Sequence, residues 1–145
     1  MLKRIFLAVA FLSTPCLAAD PVAAPPARGV ALGLGITGAG AGLSISAPEE
    51  ANATLEALLG ETFGGHVLLN LDMAFASKPL AQGVTAYAGP GLTVHGYHFG
   101  PRIPVGIQFA VKSLQLGGEL APTVLFGPGG AWGYLDAAIY ARMVL

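Results

Sequence analysis

Cysteine is nearly missing from this sequence. The one residue, Cys16, lies in the N-terminal segment, so the rest of the chain has no disulfide framework, thiolate nucleophile or cysteine metal site. Charge is sparse as well, at 10% of residues with a formal net of -1 at pH 7. Beyond residue 19 the bases are Arg28, Lys78, Arg102, Lys112 and Arg142, against Asp20, Glu49, Glu50, Glu56, Glu61, Asp72, Glu119 and Asp136. That weakly acidic balance argues against a nucleic-acid partner, which selects a basic face. Long apolar runs are also missing, although 54% of residues are hydrophobic. A membrane-spanning helix needs about 20 consecutive apolar residues, and no segment supplies them. The apolar content is spread in short stretches between glycines and prolines.

The first residues read as an export signal. Lys3 and Arg4 precede the apolar run 5–12, and Pro15 leads into Cys16-Leu17-Ala18-Ala19 before Asp20. Residues 1–19 are expected to be a cleaved signal peptide, cut after Ala18 or Ala19. Cys16 as a lipid-attachment site is disfavoured, because Ser13-Thr14-Pro15 lacks the residues such a site requires. Residues 20–28 carry Pro21, Pro25 and Pro26 and are expected to form a proline-rich tail that joins no sheet. The remainder, 29–145, is one domain's length.

From Gly29 the apolar period is two. Successive segments place Val30, Leu32, Leu34 and Ile36, then Leu43, Ile45 and Ala47, then Ala53, Leu55, Ala57 and Leu59 on one face. The second is expected to break at Pro48, and 49–59 also suits a short helix by propensity. A fourth segment sets Val67, Leu69, Leu71, Met73 and Phe75 against Asn70 and Asp72. The fifth, 84–94, opposes Leu92 to Tyr87 and Thr93; the sixth, 102–112, opposes Ile103, Ile107 and Phe109 to Arg102, Gln108 and Lys112. The seventh, 114–126, and the last, 132–145, set Leu120 and Ile139 against Glu119, Asp136, Tyr140 and Arg142.

The charges choose the environment of these faces. Glu56, Asp72, Arg102, Lys112, Glu119, Asp136 and Arg142 all fall opposite the apolar series, on a face otherwise rich in small residues. A soluble barrel or sandwich would turn its apolar face to the core and coat its surface with charge. The opposite arrangement fits an all-β protein: a closed antiparallel up-and-down transmembrane β-barrel of about eight strands, whose cramped interior takes the small side chains. Phe63, Tyr97, Phe99, Phe126, Trp132 and Tyr134 gather at one end and Phe75 and Phe109 at the other, as in interfacial aromatic girdles. Pro90, Pro104 and Pro122 stand against this reading, because each removes a ladder donor inside a proposed strand.

Several short motifs carry a resemblance: Leu71-Asp72 before the turn at Pro79, Tyr87-Ala88-Gly89, Arg102-Ile103-Pro104-Val105-Gly106, Glu119-Leu120-Ala121-Pro122, and Asp136-Ala137-Ala138-Ile139 running toward Arg142. Together they resemble the small outer-membrane β-barrel proteins of Gram-negative bacteria, most of which have no assigned activity. The resemblance covers most of the chain after Gly29, and it implies that Pro104 and Pro122 are tolerated in the wall. It also implies an assembly signal at the C-terminus, read by the barrel-assembly machinery, with Met143 and Leu145 at the alternating positions. Leu145 replaces the usual aromatic, and Ala141 stands where glycine is common.

The remaining motifs have bland readings. The run from Gly33 to Gly38 fits a dinucleotide fingerprint, but that motif requires a following helix, and further glycine and strand follow here. His66, His95 and His98 could approach a metal, yet no spacing fixes a fourth ligand, so they read as loop histidines. Asn52-Ala53-Thr54 matches a glycosylation sequon that means little in a bacterial-type exported chain.

The inward charges are the most informative group. Glu119 is expected to pair with Arg142, and Arg102 with Asp136, filling the interior with ion pairs; Glu119→Ala should then destabilise far more than Glu61→Ala. The expected function is that of an outer-membrane barrel with a filled lumen and a structural or envelope role. It would have no enzymatic activity, no cofactor and no metal, and its partners would be outer-membrane lipids and the assembly machinery. A narrow pore or conduit for small hydrophobic solutes is the alternative. A lipid-modifying enzyme would need a nucleophile, a base and an orienting acid on the outward face, and the clearer strands place no serine there.

Overall fold

The computed structural model describes residues 29–50, 52–77 and 79–145. The signal peptide and the proline-rich tail expected at 1–19 and 20–28, with Cys16, lie outside the described residues, as does Lys78. Ten strands form: β1 (Ala31–Thr37), β2 (Gly40–Glu50), β3 (Ala53–Thr62), β4 (Val67–Ala76), β5 (Val84–Ala88), β6 (Gly91–His95), β7 (His98–Arg102), β8 (Val105–Val111), β9 (Leu114–Gly127) and β10 (Gly130–Val144). There is no helix among the described residues, so 49–59 does not take its helical alternative. Helical spacing there would have split the row Leu55, Ala57, Leu59 that pairs with β4.

All pairings are antiparallel, and they make a ring of eight staves. β5 and β6 share one stave and β8 and β7 the next, each stave interrupted at its proline. Pro90 and Pro104 cannot donate, but their carbonyls still accept: Met73 N donates to Pro90 O at 2.9 Å and Gly89 N to Pro104 O at 3.2 Å. Pro122 lies inside β9, where its carbonyl accepts from Ile103 N at 3.0 Å. The ladder is interrupted beside Pro90 and Pro104, and the proline carbonyls bridge the break to the neighbouring strand. Pro48 does not end β2, which continues through a register shift to Glu50.

The rows of the ring are staggered. Leu34 pairs with Ala141 of β10. Traced the other way, through Leu43, Leu59, Leu69, Val94, Phe99 and Phe126, the same row reaches β10 at Ala131, ten residues from Ala141. Ten residues of rise, about 33 Å, against eight strand spacings, about 38 Å, give a strand tilt of about 40°.

Alternation sorts the side chains by face. Every member of that row except its two ends on β10, Ala131 and Ala141, is a large apolar residue, and Leu34 is 68% exposed. Ile139, expected to face outward, is 65% exposed. The inward positions hold Ser44, Glu56, Asn70, Asp72, Thr93, Arg102, Thr123, Asp136 and Arg142, all buried. Glycine makes their packing possible. Gly106 faces Tyr87 and Gly117 faces Tyr140 across neighbouring strands. A Cβ at these glycines would come within 2.4 Å and 2.2 Å of the tyrosine rings.

Turns at both ends are short. The stretch 95–101, expected as the connection between two strands, instead belongs to a hairpin of β6 and β7 in which His95 pairs with His98 across Gly96-Tyr97. Trp132 and Tyr134, expected in the outward girdle, have inward register on β10 and meet His98 and His95. Lys112 is a further correction. It sits in the β8–β9 turn at a φ of 54° and is exposed, because β8 ends at Val111 and the tight turn rotates it away from the interior.

Candidate functional site

The polar interior is held by two arginines on different strands. Arg142 of β10 donates from Nε to Ser44 Oγ at 2.7 Å, and from both terminal nitrogens to Glu56, at 3.1 and 3.0 Å. Its guanidinium lies 3.8 Å from the Tyr140 ring centroid, on the ring face. This is the bidentate fork that a planar guanidinium makes with a carboxylate.

Arg102 of β7 is 2% exposed and faces three carboxylates. Its Nη2 donates to Glu119, its Nε lies 3.2 Å from Asp72, and its Nη1 lies 3.7 Å from Asp136. The Tyr87 hydroxyl donates to the other oxygen of Glu119 at 2.8 Å, and Gly38 N donates to Asp136 at 3.0 Å. Gly91 opposes both Asp72 and Arg102 in the ladder, and a Cβ there would lie 1.8 Å from the Asp72 carboxylate. The glycine is what lets this arginine enter. Asn70 and Thr93 share a hydrogen bond of 2.5 Å on the neighbouring strands.

Of the predicted site residues, the interior brings together Glu56, Asp72, Arg102, Glu119, Asp136 and Arg142 and leaves out Lys112. The expected Glu119–Arg142 pair does not form. In the β9–β10 register Arg142 stands opposite Gln115 and Glu119 opposite Ala138, four residues apart along the stave. Arg142 turns instead to Glu56 and Glu119 to Arg102. The Arg102–Asp136 approach does occur, as the longest contact of its group. Ser44 and Tyr87 are partners that charge counting missed; their inward alternation was the available signal. Met143 lies outward and exposed on β10, and Leu145 follows the strand with its amide donating to Val30 O at 3.0 Å.

The other motifs find local roles. Gly33 and Gly35 lie in β1 and Gly38 in the turn after it, with no helix following. The histidines lie against aromatics: His98 meets Trp132 edge to face at 4.4 Å, and His95 and Tyr134, at 6.0 Å, and His66 and Tyr97, at 6.4 Å between centroids, are tilted pairs. Among the described residues, no three acidic, histidine or cysteine groups are placed to share a metal ion.

Between the arginines the interior is filled. The cavity bordered by Glu56, Asp72, Glu119 and Arg142 measures about 20 Å³, room for one water. No family model, no curated protein and no solved structure matches the chain.

Proposed function

We propose that the chain is an integral outer-membrane protein whose ring closes as a β-barrel with a side-chain-filled lumen, serving a structural or envelope-associated role. The observation that carries this reading is the inversion of polarity. Paired charges are buried inside while a continuous belt of leucine, isoleucine, valine and phenylalanine is exposed outside. In water such a belt would far exceed the apolar patches that monomeric proteins leave open. Against lipid tails it costs nothing.

The dimensions support it. Phe99 and Phe109 lie ten residues apart on one stave, both outward and exposed. At the estimated tilt that spans about 25 Å, the height of the apolar band in outer-membrane barrels. The resemblance of the sequence to small outer-membrane barrels points the same way, with lipids and the assembly machinery as partners and Met143 and Leu145 as the assembly signal. A filled interior favours a plugged barrel over a pore, since a cavity for one water passes no solute.

Fractionation combined with a gel shift on heating tests the reading. The protein should partition with outer membranes and migrate faster unheated than boiled, and the purified barrel should give no conductance steps in planar bilayers. Recovery as a soluble periplasmic protein would sink it.

A further inference from the structure

At the end of the ring that carries the turns at 38–39 and 128–129, the wall is uneven. The β1–β10 ladder stops at Thr37 and Ala138, and its last bond is Gly38 N to Ala137 O at 2.9 Å. Above it, β10 runs on to Gly130 paired with β9 alone. A cleft of about 290 Å³ occupies the step, between the Gly38-Ala39 turn and the raised hairpin. Trp132, Tyr134 and His95 line it, with Leu125 and Asp136.

Its walls are held in place. The Tyr134 hydroxyl reaches across the mouth from β10 to His95 on β6, 3.2 Å from Nδ1. Trp132 meets His98 edge to face. Rings fixed before a ligand arrives lose little freedom when one binds.

Charge decides what fits. Asp136 is 2% exposed; one oxygen accepts from Gly38 N, while the other, Oδ2, has no hydrogen-bond partner. Its nearest cation, Arg102, is shared with Glu119 and Asp72, both closer to it than Asp136 is. Among the described residues the interior sets four carboxylates against two guanidiniums. Among the described residues no lysine or arginine lines the cleft to offset that field. An anion would be repelled, and one carboxylate among aromatic rings cannot replace the water shell of a metal ion. Aromatic faces and a carboxylate both attract an organic cation.

The geometry points to this cleft as a binding site for a small organic ammonium, seated against Trp132 and Tyr134 with Asp136 supplying the negative field. Free amines and lipid amine headgroups share this chemistry. The inference goes beyond the envelope role: the amine site rests on the geometry of the cleft, and its lipid-headgroup source rests on the proposed membrane reading.

Trp132 is the only tryptophan in the chain, so its emission reports on the site directly. The assay titrates the full protein in maltoside detergent with choline and with its neutral isostere 3,3-dimethylbutan-1-ol, at pH 8, where an ordinary histidine is neutral. Phosphocholine detergents are avoided because they carry the same headgroup. Choline should change the emission saturably, and the alcohol should bind about tenfold more weakly. Asp136→Asn, with folding checked by the gel shift, should weaken choline by about fivefold and leave the alcohol unaffected. If that variant does not fold, Tyr134→Leu decides, since it removes a ring and keeps the carboxylate; weaker choline binding is the expected result. Equal affinity for the two probes, no saturable response, or unchanged choline affinity in a folded variant overturns the proposal. Nanodiscs of phosphatidylethanolamine and of phosphatidylglycerol then separate the sources. A difference in emission without added amine identifies a lipid headgroup, and its absence alongside choline binding identifies a free amine.

Discussion

Removing Glu56 should destabilise the protein more than removing any acid around Arg102. Among the described residues Arg142 has a single carboxylate partner, and its side chain is only 3% exposed. In Glu56→Gln the amide keeps the shape but not the charge, so the guanidinium is left buried with Ser44 and the Tyr140 face. Breaking a buried pair this way costs about 3–5 kcal/mol. Arg102 is in the opposite position. Asp136→Asn still leaves it Glu119 and Asp72 and relieves a surplus of negative charge, so the expected loss is within about 1 kcal/mol. Urea unfolding of the refolded protein in detergent, followed by Trp132 emission, separates the cases. With a slope of about 2 kcal/mol per molar, Glu56→Gln lowers the midpoint by about 2 M, whereas the exposed control Glu61→Gln leaves it in place. Equal midpoints for Glu56→Gln and Glu61→Gln, or an equally large drop for Asp136→Asn, would refute the claim that charge compensation holds this interior.

Other outcomes follow from the same geometry. Gly117→Ala, whose new Cβ would fall on the Tyr140 ring, should cost about 1–3 kcal/mol, while Gly118→Ala next to it, with 3.5 Å of clearance, should be nearly neutral in the same urea assay. Leu34→Lys, in the middle of the outward belt, should cost about 2–4 kcal/mol for a protein folded in lipid vesicles, and Val111→Lys near the edge about 1 kcal/mol or less. If both are neutral in vesicles, the belt does not face lipid. Leu145→Phe restores the terminal aromatic that the resemblance implies. It should raise the fraction of heat-modifiable protein recovered in outer membranes, and an unchanged or lower fraction would dismiss the C-terminal signal.

The period of two carried most of the fold. It set the faces of β1, β3 and β4 residue by residue, because each inward side chain there lies opposite another inward one in the register. The prolines could not be judged that way. Whether Pro90 breaks a sheet depends on whether its carbonyl finds Met73 N, and that is a matter of the neighbouring strand. The ion pairs were legible as a set and not as partners. Similar depth suggested Glu119 with Arg142, but the stagger of the ring slides adjacent strands past each other, so proximity in depth and proximity in space diverge. Lys112 kept its alternation in sequence and lost it in the turn, where a positive φ reverses the direction of the side chain. Trp132 and Tyr134 were recognised as aromatics at the right end, and their parity with Asp136 along β10 already placed them on the inward side.

The tyrosine seated on a glycine has a consequence for how this interior can change. Tyr87 and Gly106, or Tyr140 and Gly117, behave as couplets written across two strands. Trimming the ring alone leaves a hole above bare backbone, and enlarging the glycine alone evicts the ring. Viable variants should therefore swap both members at once, volume traded from one strand to the next, so that the inside of the molecule drifts in paired steps while its oily exterior drifts one residue at a time.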